Sequence, residues 1–379
     1  MRAEAGAAAA GRVAGPRTAA QTTGADATRA DTDHTRAGGD VRLDVRIVIP
    51  ARNEARNLDA CLAAAAASGA VEIVVVDDDS SDATAAIARN WAARDRRIEV
   101  LRLGPLEADD AWRGWAGKNR ACWLGAEGAE RAWLLFLDAD ARLRPGGLAA
   151  ALRKAEAEGL DALSLSPEQE CGSWAEAAVV PLVFTLLNRC YAHDEHGGEA
   201  AANGQFFLWR RAAYRRVGGH AAVRGSWLED VALARRLRDG GGRLALLPGT
   251  GCVRVRMYRG WREVCRGWGK NAVPLFGWPW AWPPGPAARA LAAPWIVLAA
   301  AVGCGAAGWG WPAAVLALGL AALHGDYARR LPRGERRYAV WLLPGSAAYA
   351  AIWWSGAWRR RKGTLRWKDR AEPPAGTER

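Results

Sequence analysis

The apolar run Trp133-Leu134-Leu135-Phe136-Leu137 ends in Asp138-Ala139-Asp140, two carboxylates one residue apart. Five successive apolar residues suggest a buried strand, which offers no solvation to two charges, so the carboxylates belong at its mouth. At the C-terminal end of a strand, Asp138 and Asp140 can present hard oxygens in one direction, suiting a divalent cation that bridges a nucleotide's phosphates. The plainer account is a strand running into an Asp-rich turn. Similar groups recur along the chain. Glu54 follows Val48-Ile49-Pro50-Ala51-Arg52-Asn53, and Asp77-Asp78-Asp79 follows Ile73-Val74-Val75-Val76. Lys118 stands where a Gly-containing loop enters a helix, a place for a phosphate, although an ordinary solvated lysine fits equally. Glu229 and Asp230 open another helix, where carboxylates answer the helix dipole; one held at a pocket edge could instead be a general base. His193-Asp194-Glu195-His196 has two histidines at i and i+3, but its polar, Gly-bounded loop argues against a metal site.

The elements that must carry these groups alternate. β-branched and apolar runs predict strands at 45–50, 71–76, 98–103, 133–137, 162–166, 203–209, 244–248 and 252–257. Ala- and Leu-rich or amphipathic stretches predict helices at 57–68, 82–95, up to about 128, 145–158, 210–217 and 229–239. Strand, helix and strand within about thirty residues is a βαβ unit, so parallel strands with right-handed crossovers are expected. Ligands in such α/β sheets bind beyond the carboxyl ends of the strands, the edge on which Glu54, Asp77 and Asp78 fall.

The chain uses 21 Trp against five Phe, and many of the indoles lie beside long apolar runs in the C-terminal third. Indole combines an apolar body with one N–H donor, which suits a membrane interface. A formal charge of +12 is compatible with nucleic acid or an anionic membrane. No nucleic-acid module is visible and the basic clusters flank apolar segments, so the membrane is the expected partner. Seven scattered cysteines without a Cys-x-x-Cys pair read as reduced residues of a cytoplasm-facing protein. Residues 1–40 have almost no large apolar residue, no periodicity and no continuous apolar core of a secretory signal, and are expected to be a disordered tail. The segment 174–191 is too short to span a bilayer and reads as a core helix or one lying in the interface. Residues 291–323 are mostly apolar and carry no charge, are interrupted by Gly308-Trp309-Gly310-Trp311-Pro312, and read as a hairpin of two short spans or one tilted span. Residues 338–358, between basic clusters, read as one more. The expected organisation is thus a tail (1–40), an α/β domain (41–275), a membrane region with two to three apolar helices (276–358) and a basic C-terminal tail (359–379).

With its motifs in order, the sequence resembles the family 2 glycosyltransferases, whose nucleotide-sugar-binding, Rossmann-like α/β fold is called GT-A. The resemblance rests on Val48-Ile49-Pro50-Ala51-Arg52-Asn53-Glu54, Val75-Val76-Asp77-Asp78-Asp79-Ser80-Ser81-Asp82, Gly117-Lys118, Leu137-Asp138-Ala139-Asp140 and Glu229-Asp230, over about residues 45–275. Gly114-Trp115-Ala116-Gly117-Lys118, Arg256-Met257-Tyr258, Gly267-Trp268-Gly269-Lys270-Asn271 and Gly363-Thr364-Leu365-Arg366-Trp367-Lys368-Asp369-Arg370 are most similar to the membrane-bound carotenoid- and hopene-associated members. The resemblance implies a UDP- or GDP-sugar donor held by Pro50, Arg52, Glu54, Asp77, Asp78, Lys118 and Asp138. It implies Mg2+ or Mn2+ on Asp138 and Asp140, and catalysis at Asp230 with Glu229. It further implies single displacement with inversion onto a lipid-like acceptor, by a multi-pass membrane protein with a cytoplasmic catalytic domain. Two departures stand out. Asp79 occupies a place where relatives commonly have Gly or Asn, and the Gln-x-x-Arg-Trp signature of processive synthases is missing, so one sugar per acceptor is expected. A polyprenyl-phosphate acceptor is the enzymatic alternative, a membrane-anchored binding protein without turnover the non-enzymatic one, and a nucleic-acid binder ranks last.

Overall fold

The computed structural model describes residues 42–106, 110–190, 201–282, 284–367 and 370–371. The expected N-terminal tail, the His193–His196 cluster and residues 372–379 lie outside the described residues. In chain order the first half forms β1 (Leu43–Ala51), α1 (Leu58–Ala66), β2 (Ala70–Asp78), α2 (Thr84–Ala92), β3 (Ile98–Leu103), α3 (Gly117–Ala126), β4 (Trp133–Leu137), β5 (Ala141–Leu143) and α4 (Gly147–Ala157). Next come β6 (Ala162–Ser166), β7 (Glu168–Gln169), α5 (Trp174–Cys190), β8 (Phe206–Arg210), α6 (Arg211–Arg216), α7 (Glu229–Asp239), β9 (Leu244–Pro248) and β10 (Val253–Val255). Four longer helices close the chain: α8 (Trp261–Phe276), α9 (Pro286–Ala306), α10 (Gly310–Arg330) and α11 (Leu342–Arg361).

Seven strands make one sheet in the order β3-β2-β1-β4-β8-β6-β9. Helices cover both faces, which is why β1, β2 and β4 read as near-continuous apolar runs. Ile47 and Ile49 of β1 pack towards α1 and α4, while Val48 packs towards α3 and α7. The expectation of a parallel sheet holds for all strands but one. β8 runs antiparallel to both β4 and β6. It does not follow a βα crossover: the chain has first travelled out along α5, and it re-enters from the carboxyl edge, pairing Phe206 with Leu137. The reversal brings Asn203-Gly204-Gln205 to that edge, where the Gln205 carbonyl accepts from the Asp138 amide at 3.3 Å. A small sheet, β5-β10-β7, sits beside it, with β10 antiparallel to β5 and parallel to β7.

A second apolar core joins the α/β domain to the C-terminal helices. Val179, Leu182 and Val183 of α5, Val264 and Trp268 of α8, and Tyr349, Ile352 and Trp353 of α11 are all buried in it. α5 is therefore a core helix, and the interfacial alternative for 174–191 falls away because α8 and α11 cover it. α11 approaches closely enough that a Cβ on Gly345 would lie 2.2 Å from the Ala178 carbonyl oxygen, and one on Gly356 the same distance from that of Gly269. The stretch 291–323 lies within the hairpin α9–α10, which leaves Ile296, Val302, Val315 and Leu318 more than half exposed. Among the described residues one helix, α9, is long and apolar enough to cross a membrane.

Candidate active site

The loops after β1 and β2 are tied to each other. The Asn53 amide donates to Ser80 Oγ at 3.0 Å, the Ser81 amide to Asn53 Oδ1 at 2.9 Å, and the Glu54 amide to Thr84 Oγ1 at 2.8 Å. Asp79 has φ 59°, the left-handed region that Gly and Asn adopt at least cost. Arg52 spans the two loops, donating from Nη1 to the Asp78 carbonyl at 2.6 Å.

Asn119 on α3 performs the second tie. Fully buried, it donates from Nδ2 to the carbonyls of Val223 and Ser226 at 2.8 and 3.0 Å, while the Ala116 amide donates to the Arg224 carbonyl at 2.7 Å. These bonds fix the loop that enters α7, so the N-termini of α3 and α7 converge. Lys118 Nζ then lies 2.8 Å from Asp138 Oδ1 and 2.7 Å from Glu229 Oε1. Asp230 turns the other way, accepting from the Gly204 amide at 2.7 Å and the Val231 amide at 2.8 Å. Gly204 leaves little room: a Cβ there would stand 3.2 Å from both Asp230 Oδ2 and Lys118 Nζ.

The charges in this cluster are unequal. Burial, then the neighbouring Glu229 carboxylate, pushes Asp230 up to about 6. Burial also raises Asp138, against the pull of Lys118. Glu229 is pushed up by burial but ends below its usual value, because Lys118 is hydrogen-bonded to it. Lys118 is held well above its ordinary value, the two carboxylates overcoming burial. The result is one carboxylate poised near neutrality, Asp230, beside an ion-paired Asp138–Lys118–Glu229 row.

Pro50, Arg52, Glu54 and Asp78 line the same cleft, of about 880 Å3, as Lys118, Asp138, Asp140, Glu229 and Asp230. Asp77 does not. Adjacent residues of β2 point to opposite faces, and the Asp77 carboxylate accepts from the Ser80 amide at 3.2 Å, fully buried. Its expected place among the donor-binding residues is corrected accordingly. Asp78 reaches the cleft as one member of a buried ion pair, 2.6 Å from Arg120 Nη2. Away from the carboxylates, Phe184 and Leu187 of α5 and Leu275 of α8 give the cleft an apolar wall. Lys270 Nζ lies 5.0 Å from the ring centre of Trp227, a cation–π contact between two residues that line the cleft. Asn119, Arg120 and the Asn203–Gln205 turn escaped the sequence reading; Asn119 adjoins a residue that reading did single out.

These elements define a mixed α/β, GT-A-like fold with its carboxylates gathered at the sheet's carboxyl edge. Residues 46–218 match the model of glycosyl transferase family 2. A curated relative, the 4,4'-diaponeurosporenoate glycosyltransferase of Staphylococcus haemolyticus, is 27% identical over 242 residues. The match covers 62% of this chain and 62% of that protein. Among solved structures, a mannosyltransferase from Pyrobaculum calidifontis in complex with GDP-Man and Mn2+ shares the fold at a TM-score of 0.50 and 20% identity, covering 82% of this chain and 87% of the other.

Proposed function

We propose that the protein is an inverting glycosyltransferase that moves one sugar from a UDP- or GDP-sugar to a lipid-like acceptor at the cytoplasmic face of a membrane. The observation that carries this reading is the single cleft in which a carboxylate pair, Asp138 and Asp140, and a separate carboxylate titrating at about 6, Asp230, share space with an apolar wall. The donor set fits a divalent cation completed by substrate. Among the described residues no three His, Cys, Asp or Glu side chains cluster to enclose a metal, and Mg2+ or Mn2+ is commonly held by one or two carboxylates with phosphates and water filling the shell. When bound, the cation supplies counter-charge to the departing nucleoside diphosphate. Glu54 and Arg52 face the base and ribose. Lys118 orients Asp138 and adds positive charge near the diphosphate.

Asp230, held by two backbone amides, takes the proton from the acceptor hydroxyl as that oxygen attacks the anomeric carbon from the side opposite the leaving group. The C–O bond to the acceptor forms as the bond to the diphosphate breaks, and the anomeric centre inverts. The carotenoid relative supports an extended apolar acceptor, for which Phe184, Leu187 and Leu275 offer a matching surface. The α9–α10 hairpin, with its exposed apolar side chains, would hold the domain at the bilayer. Mass spectrometry of lipid extracts from cells with and without the protein tests the reading: a glycolipid that disappears names acceptor and sugar. Identical lipid profiles, with no metal-dependent nucleotide-sugar hydrolysis by the protein in detergent, would refute it.

A further inference from the structure

Arg256 leaves β10 where the small sheet opens on the cleft. Val255 pairs with Ala141 in antiparallel register, and that register carries the next residue of each strand, Arg256 and Asp140, to the same end of the ladder. The Arg256 side chain lines the cleft and is 30% exposed. Its inner edge is fastened, with Nε donating to Glu176 Oε2 at 3.1 Å. Glu176, on α5, is 1% exposed and accepts three more hydrogen bonds, from the Gly172 amide (2.8 Å), the Ser173 hydroxyl (2.6 Å) and the Gly260 amide (2.9 Å). Burial alone would raise this carboxyl; these donors more than offset it and keep Glu176 ionised. The floor beneath the guanidinium is equally specific. A Cβ on Gly172 would lie 2.0 Å from Nη2 and 2.4 Å from Cζ of Arg256, so only glycine lets the group lie where it does.

A surface arginine needs none of this. An arginine fixed along one edge presents its remaining N–H groups in a rigid fork that matches oxyanions in two-point contact. Among the described residues no hydrogen-bond acceptor meets Nη1 or Nη2. The geometry points to Arg256 as a further substrate-contacting residue: its Nη fork, positioned by Glu176 and Gly172, binds the donor's diphosphate beside Asp140. This assignment rests on the glycosyltransferase reading above. An anionic head group on the acceptor would offer the same oxyanion chemistry, and the test separates the two.

The full chain in detergent is titrated with UDP, GDP and inorganic pyrophosphate in Mn2+, with uridine and guanosine as controls lacking phosphate. Arg256→Ala should weaken nucleoside diphosphate and pyrophosphate binding about tenfold to a hundredfold, the range for losing hydrogen bonds to a charged group. Nucleoside binding should be unchanged and diphosphate binding still Mn2+-dependent. Gly172→Ala is the sharper variant. Its backbone tolerates alanine and it keeps every charge, yet it displaces the guanidinium tip; it should melt as wild type does while losing a similar share of affinity. Arg256→Lys should recover only part, because an ammonium keeps charge without the fork. Glu176→Gln should weaken binding alone but add nothing to Arg256→Ala. Wild-type diphosphate affinity in Gly172→Ala and Arg256→Ala, or an effect confined to the acceptor's KM, overturns the assignment of Arg256. Failure of the wild-type protein itself to bind either nucleoside diphosphate removes the glycosyltransferase reading, and this inference with it.

Discussion

Asp230 gives the reaction a pH dependence that can be worked out in advance. Its carboxyl titrates at about 6 because burial and the adjacent Glu229 charge both disfavour ionisation. A general base must be deprotonated, so turnover should rise with pH through that value and level off above it. Between pH 7 and pH 5 the ionised fraction falls about tenfold, and kcat should follow. Glu229→Gln removes the neighbouring charge that raises Asp230, so the acid limb should move to lower pH. Asp230→Asn should cost about 10² to 10⁴ in kcat, the usual worth of a positioned base, while leaving nucleoside diphosphate binding intact. The assay is sugar transfer to extracted lipid acceptor, measured from pH 4.5 to 8 at two saturating Mn2+ concentrations. A limb caused by protonation of the metal carboxylates would shift with Mn2+; one belonging to Asp230 would not. A flat profile, or a limb that stays in place in Glu229→Gln, would show that Asp230 is not the base.

Three more perturbations follow from the geometry. Asp140→Ala should abolish Mn2+-dependent transfer with no change in circular dichroism or membrane recovery; retained metal-stimulated turnover would exclude Asp140 as a ligand. Arg120→Ala removes the buried guanidinium that lies 2.6 Å from the Asp78 carboxylate and should destabilise the protein by about 3 kcal/mol in denaturant titration. An unchanged midpoint would mean the loop after β2 relaxes and hydrates the charge. Gly356→Ala forces α11 away from the Gly269 carbonyl and should lower stability by about 1–3 kcal/mol, visible as a lower melting temperature in detergent; an unshifted one would mean that the helices slide apart at no cost.

Much of the fold was legible because its signals are local. The strands at 98–103, 162–166 and 244–248 appear with the bounds read from the sequence, and the helix opened by Trp227-Leu228-Glu229-Asp230 ends at Asp239 as expected, each being an apolar or amphipathic run with a clear stop. Strand direction was not legible at β8, since a run of apolar residues is the same read from either edge and only the path through α5 decides how the chain returns. The acidic pair after β2 shows the other limit. Asp77 and Asp78 look equivalent in a motif, but both lie within the strand, where alternation sends one carboxylate into the cleft and its neighbour behind it. The ties made by Asn119 and Glu176 join residues far apart in sequence, and no local pattern marks an amide or a buried carboxylate for such a task. α11 was read as one more apolar span, and its aromatic face instead completes the core over α5 and α8.

That last packing makes the apparent boundary near residue 275 a poor place to cut the gene. A fragment ending at α8 would keep the nucleotide half of the cleft but would bare the faces of α5 and α8 that Tyr349, Ile352 and Trp353 cover. Each such side chain contributes about 1.5–3 kcal/mol when buried. α5 also carries Glu176 and two residues of the cleft's apolar wall. Expression of a catalytic half would therefore require keeping α11, together with the buried ends of α9 and α10, Ala287, Leu291 and Tyr327, that share its core.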